Sequence, residues 1–418
     1  MNRSFVLRRS ALLAAISLCA LNSTNVCAAG FQLNAQSATG LGRAYAGDAV
    51  IADNASVVAR NPAAMALFDD ISFSIGLETI STMIEVKDGV YKNPVANTLD
   101  ASYDNAGDTS VAPNLYLIVP VNDRFAWGLN TYSNFGTRTS FDNNYQGYEY
   151  GGNTDVQSLN IGLTGSYRIN QQWSIGAGLD FIYGKGKLSR NFEPTLAAAS
   201  SAVPDEALNV DAAGWAVGYN LGTVFELNDN NRFGLDYHYS PDLKADGDIN
   251  YAGYTASGTS ISDTLIIPLP DIAEFSGYHR LNNDFAVHYS IQWIKWSEFD
   301  NLNAKISGTL NSYQWQDGWH YAIGGTYYLN HTWTLRAGYM YDTSAQDNLT
   351  SISVPDSDRQ WFSTGFTYHL SEKSNIDVGF TYLLGKDVDV SESKTVSTLT
   401  GTTHADAIMF GIQYSHSL

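Results

Sequence analysis

In the stretch Asn170-Gln-Gln-Trp-Ser-Ile-Gly-Ala-Gly-Leu-Asp-Phe-Ile-Tyr-Gly184, a short polar turn is followed at once by an aromatic residue and then by an alternating run. Because successive side chains of a strand point to opposite faces, this run predicts a β-strand with one apolar face. Residues 285–293 and 376–385 alternate in the same way. A soluble sandwich with its apolar faces inward and a membrane barrel with its apolar face outward both produce such runs, so alternation alone leaves both folds open.

Short polar turns of this kind recur, and longer connections separate them. The short turns lie at 122–123, 170–172, 228–231, 282–284, 330–332 and 371–373, and aromatic residues follow five of them: Phe125, Trp173, Phe233, Phe285 and Trp333. The longer connections lie near 88–109, 142–152, 193–213, 252–263, 306–316, 345–358 and 392–404. Short turns at one rim, long loops at the other and aromatic residues beside the short turns are typical of an outer-membrane barrel.

The number of strands follows from the turns. Six tight turns join twelve strands, and one strand before the first turn and one after the last make fourteen. An even number places both chain ends on the periplasmic side. The final run, from Ile408 to Leu418, alternates to the last residue, as expected for the closing strand of a barrel.

Composition supports a wall that faces lipid. Charged residues make up 16% of the chain and aromatic residues 13%, whereas a soluble domain carries about a quarter charged residues. Beyond the N-terminus, no apolar run approaches the roughly 20 residues of a spanning helix, which excludes a helical membrane protein. The net charge of −19 argues against a nucleic-acid partner.

The N-terminus reads as a secretory signal peptide. Arg3, Arg8 and Arg9 precede an apolar run at 11–21, and small residues near Ala28 offer a cleavage site before residue 29. The apolar run is too short for a transmembrane anchor, which is the alternative reading. We therefore expect residues 1–28 to be removed, together with both cysteines of the chain, at positions 19 and 27.

The segment at 29–70 does not share the strand pattern. It is irregular and rich in small residues, and it precedes the uniform β region at 71–418. A fourteen-stranded barrel has a lumen that its own side chains do not fill completely. The sequence therefore predicts an all-β protein, a 14-stranded antiparallel transmembrane β-barrel with residues 29–70 as an N-terminal plug, or hatch, in the lumen.

Several motifs then resemble one known family. The hatch carries Ala29-Gly-Phe-Gln-Leu-Asn34, Arg43-Ala-Tyr-Ala-Gly47, Ile51-Ala-Asp-Asn-Ala55 and Arg60-Asn-Pro-Ala63, and the barrel carries Pro120-Val-Asn-Asp-Arg-Phe-Ala-Trp-Gly128 and Val354-Pro-Asp-Ser-Asp-Arg359. In this order they resemble the FadL-type long-chain fatty acid transporters of Gram-negative outer membranes. The resemblance implies a multi-pass outer-membrane channel for passive uptake of long-chain fatty acids or related hydrophobic compounds. An aromatic hydrocarbon channel of the same family and an adhesin-type barrel without transport are the alternatives.

The resemblance also implies where ligand binds. Ligand would first enter an apolar groove between the loops at 193–213 and 252–263, and would then reach an apolar pocket that Phe31 lines. By position, Arg190 and Arg359 are the candidates to hold a ligand carboxylate, because a guanidinium offers a fixed fork of donors. The alternative is that each Arg pairs with a wall carboxylate, such as Asp342, Asp356 or Asp358.

Gating and release are also implied by the resemblance. Asn61, Pro62 and Ala63 combine a turn-favouring Asn with the fixed φ of Pro, which gives a rigid bend in the hatch where movement would occur. Lateral release through an inward kink of the third strand would involve Ser133, Asn134, Phe135 and Gly136. A Gly within a strand permits such a kink and also occurs in ordinary bulges.

Other function classes find less support in the sequence. The eight His are scattered without the spacing of a metal site or catalytic triad, and no Gly-x-Ser-x-Gly motif is present, so we expect no enzyme, no cofactor and no metal. Sparse Lys and Arg together with the plug argue against an open porin. We expect a monomer that contacts outer-membrane lipid and takes a long-chain fatty acid or another hydrophobic small molecule as its ligand.

Overall fold

The computed structural model describes residues 30–199, 203–252, 259–346 and 349–418. The expected signal peptide at 1–28 and the first residue of the expected hatch, Ala29, lie outside the described residues. The same is true of parts of the loops expected at 193–213, 252–263 and 345–358.

Fourteen antiparallel strands close into a barrel, as the turn pattern predicted. Closure occurs where β1 (Ser72–Asn93) pairs with β21 (Thr398–Ser417), in a register that runs from Ser72↔Ser417 to Lys92↔Thr398. Bends divide several wall strands, so the described residues contain 21 strand segments. The others are β2 (Asn97–Asp100), β3 (Thr109–Pro120), β4 (Phe125–Tyr132), β5 (Gly136–Ser140), β6 (Asn153–Arg168), β7 (Trp173–Asn191), β8 (Glu206–Asn228), β9 (Asn231–Tyr239), β10 (Leu243–Tyr251), β11 (Ile261–Ile267), β12 (Ile272–Arg280), β13 (Phe285–Ile294), β14 (Asn301–Ala304), β15 (Gly308–Ser312), β16 (Gly318–Tyr328), β17 (Trp333–Asp342), β18 (Arg359–Ser371), β19 (Ser374–Gly385) and β20 (Val388–Ser393).

Helical structure is short. Two α-helices, α1 (Ala38–Leu41) and α2 (Pro194–Ala199), and 3-10 helices at Ala55–Ala59, Pro62–Leu67 and Trp296–Glu298 are present in the described part of the chain. Among those residues, no helix has the length and apolarity needed to cross a membrane.

The six short turns lie where the sequence predicted them, and each joins two consecutive paired strands. Several long connections are shorter than predicted because strands continue into them. The connection expected at 193–213 ends where β8 begins at Glu206, and the one expected at 392–404 ends where β21 begins at Thr398. The strands can extend there because antiparallel pairing satisfies the backbone N–H and C=O groups whatever the side chains are.

The alternating runs turn their apolar face outward. On β7, Ile175, Leu179 and Phe181 are exposed on the barrel exterior, while Ser174 and Asp180 are buried inside. This orientation is the one expected of a barrel in lipid, so it decides between the two folds that alternation left open. Exposed aromatic residues follow the short turns and form part of a ring near one rim, including Phe125, Trp173, Phe285 and Trp333.

Residues 30–68 lie within the barrel. Helix α1 packs against β18, β19 and β21, whereas the 3-10 helix at 62–67 packs against β6, β7 and β8, in a different part of the inner wall. Glycines in the wall let the two backbones approach. A Cβ atom at Gly338 of β17 would lie 2.1 Å from the carbonyl oxygen of Arg43. The segment therefore fits closely against the inner wall.

Candidate functional site

A cleft of about 560 Å³ opens at the end of the barrel that carries the long loops. Its volume falls within the range of ligand pockets, which is roughly 300–1,000 Å³. The apolar and aromatic part of its lining comprises Tyr150, Leu188, Phe192, Val203, Pro204, Ala207, Leu208, Tyr251, Ala252, Leu302, Leu310, Tyr313 and Val396. Of the loops expected to form a groove, the first contributes Val203 to Leu208, and the second contributes Ala252. The hairpins β14–β15 and β20–β21, which the sequence did not single out, complete the cleft.

Two cations face this cleft, Arg190 and Lys394. The Arg190 guanidinium donates to the carbonyl oxygen of Asn153 at 2.5 Å and to the hydroxyl of Thr154 at 2.6 Å. The Lys394 ammonium donates to a backbone carbonyl oxygen and lies 4.8 Å from the centroid of the Tyr150 ring. In the described part of the chain, neither cation forms an ion pair with a carboxylate, so both keep positive charge available to an anion.

The two carboxylates of the cleft, Glu149 and Glu392, are already hydrogen-bonded. Glu149 accepts from the Tyr91 hydroxyl at 2.7 Å, and Glu392 accepts from the backbone N–H of Ile352 at 2.9 Å. Burial raises the pKa of the Glu392 carboxyl, although the N–H of Ile352 and the nearby Lys394 act in the opposite direction. Burial thus makes the charged form of this carboxyl less favourable than it is in water.

A smaller apolar pocket of about 30 Å³ lies below the cleft and shares Leu188, Leu302 and Tyr313 with it. Phe31 lines this inner pocket. A water molecule needs about 10–15 Å³ of such space, so the pocket has room for about two, and a lipid chain would need the pocket to widen.

Phe31 sits in an aromatic cluster that surrounds its ring on several sides. The ring centroid lies 4.6 Å from that of Trp296, 5.0 Å from Phe299, 5.8 Å from Trp315 and 6.2 Å from Phe135. Aromatic pairs at such distances contribute about 0.5–1.5 kcal/mol each beyond area burial. The start of the hatch therefore forms one wall of the inner pocket, and these ring contacts help to hold it there.

The third wall strand is interrupted at the predicted position. The pairing of β4 with β6 ends at Tyr132↔Asn160, and the pairing of β5 with β6 begins at Gly136↔Gln157. Three residues, 133–135, therefore stand opposite two, 158–159, which is one residue more than a regular ladder allows. The structure thus contains a bulge at this position, where the sequence had allowed a bulge without requiring it.

The N-terminal segment pairs with this bulge. The backbone N–H of Gly136 donates to the carbonyl oxygen of Phe31 at 2.7 Å, and that of Leu33 donates to the carbonyl oxygen of Asn134 at 2.8 Å. Ser133 and Asn134 are buried within the wall. Phe31 thus contacts both the inner pocket and the interrupted strand.

The bend at 61–63 is fastened to the barrel wall. The Asn61 amide donates to the carbonyl oxygens of Ala49 and Thr223 at 2.9 and 3.0 Å, and its oxygen accepts from the N–H of Ala63 at 3.0 Å. Pro62 begins the 3-10 helix that follows, where its missing N–H costs no hydrogen bond. A gating role for these residues stays a prediction.

Arg359 lies elsewhere and is already paired. Its guanidinium forms an ion pair with Asp356, and its Nε lies 3.6 Å from a carboxylate oxygen of Asp342. It lines neither the cleft nor the inner pocket. Carboxylate recognition by Arg359 stays a prediction that this geometry does not favour, because buried carboxylates already compensate its charge. Lys394 was not identified from the sequence as a cation of the cleft. It is a single Lys in a polar hairpin, and nothing in the local sequence indicates that it faces the cleft.

Known proteins share this architecture and much of this sequence. Residues 19–418 match the model of the family described as outer membrane protein transport protein (OMPP1/FadL/TodX). The chain is 35% identical over 452 residues to the long-chain fatty acid transport protein of Escherichia coli O6:H1, with all of both chains covered.

Two solved structures are similar in fold. A Pseudomonas aeruginosa FadL homologue gives a TM-score of 0.85 at 23% identity, over 93% of this chain and 100% of that one. The Ralstonia pickettii toluene transporter TbuX gives a TM-score of 0.66 at 17% identity, over 92% of this chain and 99% of that one. The barrel, its inner segment and these matches agree, and the chain therefore belongs to the OMPP1/FadL/TodX family of outer membrane transport proteins, which are channels and not enzymes.

Proposed function

We propose that this chain is a channel for passive uptake of long-chain fatty acids. In this proposal residues 1–28 are a signal peptide, residues 29–70 form the hatch, and residues 71–418 form the barrel of a monomer surrounded by outer-membrane lipid. The observation that carries the substrate class is the pair of cations, Arg190 and Lys394, which form no ion pair among the described residues. They lie at a cleft whose lining is mostly apolar and whose two carboxylates are already hydrogen-bonded. A relative that matches this chain over the full length of both is named for the transport of long-chain fatty acids.

Capture comes first in the proposed mechanism. Arg190 and Lys394 hold the carboxylate at the mouth of the cleft, while the hydrocarbon chain lies along the apolar lining. Each methylene removed from water contributes about 0.8 kcal/mol, so the chain supplies most of the affinity and the cations supply selection for an acid. Leu188 and Leu302, which line both cavities, provide the way into the inner pocket.

Release follows in the proposed mechanism. A chain that enters the inner pocket displaces Phe31, because the pocket is too small to hold both. Phe31 and Leu33 then leave Asn134 and Gly136, so the lumen opens sideways at the bulge. Release into the membrane keeps the hydrocarbon chain out of water. Exposure to water would be the largest free-energy cost of release into the periplasm.

We expect Arg190→Ala to weaken oleate binding roughly 10- to 100-fold, because a hydrogen bond to a charged group contributes about 1.5–3 kcal/mol. Binding of hexadecane, which has the chain and lacks the charge, should change little. Isothermal titration or a fluorescent displacement assay on the purified protein measures both affinities. Lys187→Ala is the matched control, since this exposed cation of β7 pairs with Asp211 at 2.7 Å and does not line the cleft.

Equal losses for oleate and hexadecane would contradict carboxylate recognition. Strong binding of hexadecane or toluene by the unaltered protein, with weak binding of oleate, would favour the hydrocarbon channel instead. Arg359→Ala should not discriminate between the ligands, because Arg359 is engaged by Asp342 and Asp356.

We expect Asn61→Ala to raise the rate of oleate uptake while the barrel still assembles. The change removes the hydrogen bonds from Asn61 to the carbonyl oxygens of Ala49 and Thr223, which contribute about 0.5–1.5 kcal/mol each in the seated hatch and nothing in a displaced one. Uptake of radiolabelled oleate by cells measures the rate. Asn220→Ala, which removes a buried wall amide bonded to Asp180, is the control. An unchanged rate in an assembled Asn61 variant would refute the gating role of the bend.

A further inference from the structure

Asn34 connects three parts of the molecule through one buried side chain. Its oxygen accepts from the guanidinium of Arg60 at 2.8 Å and from the amide of Gln32 at 3.0 Å. Its nitrogen lies 3.2 Å from Nδ1 of His320 on β16. Asn34 is 2% exposed, so these hydrogen bonds do not compete with water. It follows directly on residues 31–33, which contact the inner pocket and the bulge.

Arg60 makes its hydrogen bonds to Asn34 and its ion pairs to two carboxylates. Its guanidinium lies 3.8 Å from Asp48 and 3.7 Å from Glu274, which are ion-pair distances longer than a hydrogen bond. Among the described residues, the only hydrogen bonds from the Arg60 side chain go to the side-chain and backbone oxygens of Asn34. Arg60 immediately precedes Asn61, the first residue of the bend, and its own carbonyl oxygen bonds to His238 of β9 at 2.7 Å.

We propose that Asn34 is a positioning residue that transmits occupancy of the inner pocket to the bend at 61–63. This inference rests on the proposed uptake function and adds the connection between its two steps. When a hydrocarbon chain displaces Phe31, residues 31–33 leave the bulge and take Asn34 with them. Arg60 then loses its hydrogen bonds, and its interactions with Asp48 and Glu274 no longer hold the bend in one position.

The chemistry of Asn34 suits a contact that must break. A neutral amide holds a guanidinium through hydrogen bonds alone, whereas a carboxylate at the same place would add the attraction of opposite charges in a low-dielectric interior. Asn34→Ala should therefore remove these hydrogen bonds permanently and leave Arg60 to its ion pairs, and Asn34→Asp should hold Arg60 more firmly. The two substitutions act in opposite directions, which general loosening of the hatch does not produce.

Residues 30–418 contain no cysteine, so a single introduced thiol reports hatch movement. Ala64 lies beside the bend and is fully buried, and Ala64→Cys should react with a maleimide only when the hatch moves. We expect oleate to accelerate labelling in this background. Adding Asn34→Ala should raise labelling without oleate roughly tenfold and remove most of the oleate response, as expected when a contact of about 1.4 kcal/mol is lost. Adding Asn34→Asp should slow labelling with oleate present, because the firmer contact with Arg60 must break before the hatch moves.

Asn54→Ala is the matched control. Asn54 is another buried hatch amide, bonded to Thr39 at 2.9 Å, and it does not contact Arg60. Labelling that changes equally in the Asn34→Ala and Asn54→Ala proteins, or that rises in the Asn34→Asp protein, would overturn the inference. If the Asn34→Ala protein does not assemble, the direction of change in the Asn34→Asp protein decides.

The two levels of proposal fail in different ways. Absence of any oleate effect on labelling in the unaltered hatch would count against the proposed gating itself. An oleate effect that persists in the Asn34 variants would count only against Asn34 as the connection.

Discussion

Deletion of Asn134 is expected to abolish oleate uptake while the barrel still assembles. The bulge exists because three residues, 133–135, stand opposite two on β6, so removing one restores an even register between Tyr132↔Asn160 and the pairs of β5. In the unaltered protein, the pairing of β3 with β4 stops at Leu115↔Thr131. A continuous third strand could extend that ladder and close the wall. Uptake should then fall to that of cells without the protein.

Asn134→Ala is the control for the deletion. It removes the side chain that accepts from Ser158 at 2.8 Å and keeps the chain length, so the bulge and most of the uptake should persist. Assembly of both variants is checked by heat-dependent migration in electrophoresis. Uptake that survives the deletion in an assembled barrel would rule out lateral release at this strand. Binding of oleate in the outer cleft should be the same in both variants, because the cleft does not include residues 133–136.

Gly338→Leu is expected to dislodge the hatch and give the barrel an ion conductance. A Cβ at this position would lie 2.1 Å from the carbonyl oxygen and 2.2 Å from the carbonyl carbon of Arg43, and backbone atoms cannot move aside as a flexible side chain can. Overpacking of this kind costs about 1–3 kcal/mol where the structure relaxes. It would also separate Arg43 from Asp53, which links the hatch to Arg336 of β17.

Gly325→Leu on the adjoining strand is the matched control. The nearest atom to a Cβ there is 3.7 Å away, and the residue has the same parity as the outward-facing Ile323, so the hatch should remain seated. Conductance in planar bilayers distinguishes the two variants. A Gly338→Leu protein that stays non-conducting and is as resistant to guanidinium as the control would show that residues 30–68 do not depend on this close approach.

Much of the fold could be predicted from the sequence because its signals are local. Alternation over 173–184 marks a strand, polar residues at 170–172 mark a turn, and counting such turns led to fourteen strands, which the structure confirms. The lengths of the long loops were predicted less accurately. Residues 206–213 mix polar and apolar side chains and residues 398–404 are mostly polar. Their inclusion in strands depends on pairing with partners that local sequence does not identify.

Charge pairing at the candidate site could not be predicted in this way. Arg190 and Arg359 resemble each other as sequence features, yet Arg190 reaches hydroxyl and carbonyl oxygens at the cleft, while Arg359 is held by Asp342 and Asp356. Lys394 comes to the same cleft from a hairpin some 200 positions further along the chain. Such differences decide which cation can bind a ligand, because a buried cation that already pairs with a carboxylate attracts a second anion only weakly.

The sequence by itself determined the strands, the turns, the strand number and the separate character of residues 29–70, because each depends on neighbours a few positions apart. The tertiary structure decided which face meets lipid, which cations remain available, and how Asn34 joins the inner pocket to Arg60. It also decided the one-residue excess at 133–135, which is defined only by the register of β4 and β5 on β6. These features require closure of the barrel around its own N-terminus, since only closure brings Asn34, Arg60 and His320 into hydrogen-bond contact.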